Sequence, residues 1–83
     1  MGKLEWRERI SIDPAVCHGK PCIRGTRIMV SVILDYLQGG EGMKTILREY
    51  PGLEEEDILA AAGYAAWLAH EEEQFPLRTE TTG

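Results

Sequence analysis

The chain has 83 residues, of which 43% are hydrophobic and 28% charged, with a formal net charge of −5. A chain this short supports one domain with a thin core, burying only about 60 to 65% of the surface its unfolded form exposes, so the apolar surplus points to a homodimer or higher oligomer. No stretch reaches the roughly 20 apolar residues of a membrane span, and no basic start leads into an apolar run, which argues for a cytoplasmic protein without membrane contact.

The sequence reads as a single domain over residues 1–73 followed by a flexible tail over 74–83. Trp6, Ile10 and Ile12 alternate with Arg7, Arg9 and Ser11, the period of a strand with one buried face, which predicts a strand over about residues 6–12. Asp13-Pro14, Gly19 and Pro21 punctuate a loop, after which residues 22–28 can pair back as a second strand. Gly25 in that run marks a bulge or a close backbone approach.

From Val30 the period changes. Val30, Ile33, Leu34 and Leu37 fall at i, i+3, i+4 and i+7, predicting a helix over 30–39 with Ser31 as a candidate N-cap and Gly39-Gly40 closing it in a left-handed turn. Met43, Ile46, Leu47 and Tyr50 repeat the pattern over 43–50, and Pro51 stops it. The third and longest helix spans about 54–73. Glu54, Glu55, Glu56 and Asp57 stand at its start, where the positive end of the helix dipole favours negative charge without any substrate.

Between Ile58 and Ala69 no residue is charged, and a helix that is apolar nearly all round must be covered on most sides. The two shorter helices can cover one face, which leaves Tyr64 and Trp67 for contact with a second copy. Gly63 costs about 1 kcal/mol against alanine in mid-helix, and points to a close crossing at the same contact.

The stretch VCHGKPCIRGTRI, residues 16–28, concentrates the chemistry-bearing side chains. Zinc requires about four ligands, normally with a second close pair downstream of the first, and Cys17, His18 and Cys22 have none. A redox dithiol favours C-x-x-C at a helix start, whereas this pair is spaced C-x4-C in a loop. Cys17 with His18 makes a poor nucleophile and base, because adjacent residues rarely orient toward each other and no acid is placed to hold the imidazole. No enzyme site and no cofactor or metal is implied. What remains is a Gly- and Pro-shaped turn carrying Lys20, Arg24 and Arg27, suited to meeting an anion.

Read together, DPAVCHGKPCIRGTRIMVSVILDYLQGG, ILREYPGLEEEDILAA and GYAAW resemble the family of small bacterial and archaeal domains of unknown function numbered 433. The residues that carry the resemblance are Pro14, Gly19-Lys20-Pro21, Gly25-Thr26-Arg27, Gly40, Tyr50-Pro51, Leu53 and Tyr64, over about residues 10–67. The resemblance implies a mainly α, α+β fold: a homeodomain-like, three-helix helix-turn-helix bundle preceded by a short β-strand pair. It also implies an antitoxin of the VapBC kind, whose partner is a ribonuclease toxin with a PIN-like domain. Two departures stand out. Glu41-Gly42 replaces a hydroxyl cap on the second helix, costing a few tenths of a kcal/mol, and Gly63 replaces a larger apolar residue.

Promoter DNA is a further expected partner, and charge decides where it would lie. Residues 1–48 hold eight bases against five acids, a balance of +3, whereas residues 49–83 hold one base against nine acids, a balance of −8. A recognition helix opening on four carboxylates would be repelled by phosphates, so the DNA-facing side chains are expected to be Arg7, Arg9, Lys20, Arg24 and Arg27. Six phosphate contacts from a dimer would give a slope of about −5 in log affinity against log salt. The alternative is a protein-binding homo-oligomeric module without DNA binding. Under either reading Phe75, Leu77 and Arg78 in the tail are candidates to engage the toxin's acidic metal cluster.

Overall fold

The computed structural model describes residues 5–72. A 3-10 turn at Trp6–Glu8 leads into strand β1 (Ile10–Ser11), and a second such turn at Cys17–Gly19 leads into β2 (Cys22–Ile23). Helices α1 (Val30–Gln38), α2 (Met43–Glu49) and α3 (Glu55–Glu72) follow. The protein is therefore a mainly helical α+β fold: three helices behind one antiparallel strand pair.

β1 and β2 pair with Ile10 opposite Ile23 and Ser11 opposite Cys22, and Cys22 also bridges to Met29 on its other side. The strands are shorter than the alternation of Trp6, Ile10 and Ile12 predicts. Trp6 and Arg7 belong to the 3-10 turn, closed by the Arg9 N–H donating to the Trp6 carbonyl at 3.0 Å. Ile12 is 60% exposed. The alternation is thus real in the sequence but does not describe one continuous pleated surface.

The second strand is likewise cut short at Gly25, which takes φ +83°. That left-handed residue reverses the chain, with the Thr26 N–H donating to the Ile23 carbonyl at 2.9 Å and the Thr26 hydroxyl to the same oxygen at 2.8 Å. Gly25 is therefore a turn residue and not a bulge.

α1 starts at Met29, which is extended at φ −74°, ψ 146° and makes no side-chain cap. Ser31 lies inside the first turn, so it is not the cap. At the other end Gly40 takes φ +91°, the Glu41 N–H donates to the Tyr36 carbonyl at 2.9 Å and the Gly40 N–H to the Leu37 carbonyl at 3.0 Å. These are the two bonds of a Schellman ending, which needs a residue tolerant of positive φ.

α3 begins with a cap supplied from within its own first turn. Asp57 Oδ2 accepts the Glu54 N–H at 2.9 Å, satisfying one of the orphan donors of the first turn. Ile58, Ala60 and Ala61 bury with Ile10, Ile23, Val30, Ile33, Ile46 and Leu53 as the core. From Ala66 to Glu71 every residue is exposed. α3 is thus a core helix in its first half and a surface helix in its second.

Candidate functional site

The five basic residues expected to form one anion-facing surface take three different roles. Arg24 Nη2 donates to the carbonyls of Ile10 (2.9 Å) and Arg7 (3.2 Å), and its Nε to that of Glu8 (3.0 Å). The planar fork of a guanidinium suits such converging acceptors, so this side chain clamps the first 3-10 turn onto β1 and β2. Arg9 Nη1 lies 2.9 Å from Asp57 Oδ1 and 3.2 Å from Glu54 Oε1. The bond to Asp57 raises the Arg9 pKa from its ordinary value, against a smaller opposing effect of burial. Asp57, only 7% exposed, thereby caps α3 with one oxygen and holds Arg9 with the other.

Arg9 and Arg24 line one small depression with Glu8 and Asp57. Both are engaged inside the subunit and do not present a free cationic surface. Arg7 pairs with Glu5 at 3.2 Å and sits over the Trp6 ring, 4.4 Å from its centroid. Lys20 and Arg27 are exposed, and neither side chain has a hydrogen-bond or ion-pair partner among the described residues. Arg27 borders an open depression of about 480 Å³ lined also by Ser11, Asp13, Val16, Gly25 and Thr26.

The turn before β2 is left-handed. Cys17, His18 and Gly19 take φ of 53°, 57° and 80°, held by the Gly19 N–H donating to the Val16 carbonyl and the Lys20 N–H to the Cys17 carbonyl, both at 3.0 Å. Only glycine adopts this region at no steric cost, so Cys17 and His18 are strained locally. The half-buried Cys17 donates from Sγ to the Arg27 carbonyl at 3.4 Å. Cys22 is fully buried, and burial first, then the neighbouring Cys17 thiol, pushes its pKa up to about 11. No group of three or more Cys, His, Asp or Glu among the described residues is placed to hold a metal ion.

Trp6 stands edge-on to Tyr64 with ring centroids 5.5 Å apart, and lies 5.7 Å from Trp67. Gly63 makes this possible. A Cβ there would stand 3.0 Å from Trp6 Cδ1 and 3.1 Å from its Cβ. The close crossing expected at Gly63 is therefore made within the subunit, by Trp6, and was not visible in the sequence because 57 residues separate the two positions in the numbering. Trp67 and Leu68 remain 38% and 40% exposed beside this cluster, and Arg7 reaches to 5.8 Å from the Trp67 centroid. Phe75, Leu77 and Arg78 lie outside the described residues. No helix among the described residues is long and apolar enough to cross a membrane.

Comparison with curated protein sequences returns no match. A crystal structure of a DUF433 member protein from Anabaena variabilis ATCC 29413 is similar, with a TM-score of 0.69 at 39% sequence identity, covering 80% of this chain. This chain spans 65% of the length of that one. The family model described as a protein of unknown function, DUF433, matches residues 10–65, a span that holds both strands, the Cys17–Gly19 turn, the Arg27 depression and Tyr64. The chain belongs to the DUF433 family.

Proposed function

We propose that this protein is a homo-oligomeric protein-binding module acting as the antitoxin of a PIN-like ribonuclease, and that it self-associates through the outer face of α3. The observation that carries this reading is the half-exposed ring cluster of Trp6, Tyr64 and Trp67 with Leu68 beside it and Arg7 at its edge. Trp, Tyr and Arg are the residue types that dominate binding energy at protein interfaces, and a contiguous apolar patch rimmed by charge marks an interaction site. The antitoxin role itself rests on the family resemblance.

Promoter binding is the weaker arm. With Arg9 and Arg24 engaged inside the subunit and Arg7 paired with Glu5, a dimer keeps two of the five expected DNA-facing side chains, Lys20 and Arg27, twice each, and four phosphate contacts from these give a salt slope of about −3.6. The test is sedimentation of the wild type and of Trp67→Ser. The wild type should be dimeric or larger in the micromolar range, and the variant monomeric and still folded, with an unfolding midpoint that no longer depends on protein concentration. Co-expression with the product of the adjacent reading frame, followed by a ribonuclease assay, then tests the antitoxin role. A wild-type monomer at all concentrations, or a PIN-like neighbour left uninhibited, overturns the corresponding half.

A further inference from the structure

We infer that Cys17 and Cys22 form an oxidisable dithiol, a covalent modification site that closes to an intramolecular disulfide on exposure to a hydroperoxide. Spacing in the sequence argues against it, because C-x4-C in a loop does not place two thiols by local geometry. The fold does so by another route. The left-handed turn at Cys17–Gly19 doubles the chain back before β2. Both cysteines then lie against the same extended segment: Cys17 through its thiol on the Arg27 carbonyl, and Cys22 through its bridge to Met29. That segment is fixed on both sides of Cys22, since the Ile23 N–H donates to the Ile28 carbonyl and the Val30 N–H to the Pro21 carbonyl, each at 2.9 Å.

The two thiols differ in a way that assigns their order of reaction. Cys17 is half-buried and reachable, whereas Cys22 is fully buried. Solvent-borne oxidant therefore meets Cys17 first, as the thiolate is both the nucleophile and the species that must be accessible. The Cys17 thiolate attacks one peroxide oxygen, the O–O bond breaks, and an alcohol (or water, from hydrogen peroxide) leaves with the proton, giving the sulfenic acid. The Cys22 thiolate then attacks that sulfur and displaces hydroxide, which takes up the proton released by Cys22 as water. Two thiols are oxidised by two electrons and one hydroperoxide is reduced. Closing the bond removes the Cys17 hydrogen bond to the Arg27 carbonyl, so the oxidation state is felt at the Gly25–Arg27 turn that borders the open depression.

The resolving step should be the slow one at neutral pH. Burial keeps Cys22 in its neutral form until about pH 11, so below that the rate of closure should rise about tenfold per pH unit.

The full-length reduced protein is treated with one equivalent of hydrogen peroxide, quenched with an alkylating agent and read by intact mass and peptide mapping. The expected product is a monomeric chain lighter by two hydrogens, with neither cysteine alkylated and a linkage between the peptides holding residues 17 and 22. Cys17→Ser should leave Cys22 unoxidised, and Cys22→Ala should accumulate the Cys17 sulfenic acid, trapped by dimedone. Wild-type protein in which Cys17 proceeds to sulfinic acid while Cys22 stays alkylatable overturns the inference, as does a linkage only between chains. The peptide map of the wild type decides the matter even where a variant fails to fold.

Discussion

The strand-and-turn half of this protein spends charge on its own carbonyls and carboxylates, while the outer half of α3 turns apolar surface outward. On the first side Arg24 spends three donors on backbone carbonyls and Arg9 is tied to Asp57 and Glu54. On the second, Trp67 and Leu68 remain more than a third exposed on a helix with no charge between Ile58 and Ala69. A charge balance counted along the sequence is therefore a poor guide to the field a partner meets. What counts is which cations are left over after the fold has used its own, and among the described residues those are Lys20 and Arg27 on the strand-and-turn half, with Lys44 and Arg48 on α2.

The sharpest way to break the contrast is Arg24→Ala. If this arginine is structural, losing three hydrogen bonds from a charged donor destabilises the chain by about 2 to 3 kcal/mol, read as a lower urea midpoint and insensitive to salt. If it belonged to a free cationic surface, its removal would relieve repulsion and raise stability at low salt. Arg24→Lys should recover little, because a single ammonium cannot bridge acceptors that the fork spans.

Asp57→Ala comes next. Loss of the α3 cap costs about 1 kcal/mol, and loss of the Arg9 partner adds to it, whereas Glu55→Ala, exposed and without a partner among the described residues, should be close to neutral. Equal effects from the two substitutions would mean that the acids at the start of α3 act only through the helix dipole. Cys22 sharpens the same side at alkaline pH. Its folded-state pKa of about 11 lies above its ordinary 9.0, so folding favours the neutral thiol. That contribution is whole below pH 9.0 and is lost as pH rises toward about 11. Under reducing conditions, the stability difference between wild type and Cys22→Ala should shrink across that window and stay flat below it.

The smallest expected effect lies on the α3 side. Gly63→Ala gains about 1 kcal/mol of helix propensity but drives a methyl against Trp6, so the net change should be destabilising by less than about 1 kcal/mol, with tryptophan emission shifted to the red. A full gain in stability with unchanged emission would show that the notch over Gly63 has no packing role.

Much of the fold is legible in the sequence for physical reasons that act locally. The i, i+3, i+4 pattern of Val30, Ile33, Leu34 and Leu37 and the left-handed ending at Gly40 depend on nothing outside α1, and both stand in the structure. Ser31 misleads because a hydroxyl two residues past the cap position resembles the cap itself in sequence. The amino-terminal strand misleads because a 3-10 turn at Trp6–Glu8 can carry the same alternation.

The candidate site is less legible still. That Arg24 is consumed by carbonyls of residues 7, 8 and 10, and that Gly63 faces Trp6, are tertiary facts with no local signature. Arg7, Arg9 and Arg24 look alike in a one-dimensional count and are separated only by what lies opposite each of them. The thiol pair is hidden for a similar reason, since its approach depends on a backbone hand that cysteine and histidine rarely adopt.

That hand has a stereochemical consequence. At Cys17 and His18 the chain follows the path natural to the enantiomers of its own residues, against a preference of about 1 to 2 kcal/mol per residue. A chemically synthesised chain with D-histidine at position 18 should keep the Gly19 and Lys20 hydrogen bonds and melt higher than the natural chain, so that inverting one chiral centre, ordinarily disruptive, here suits the loop.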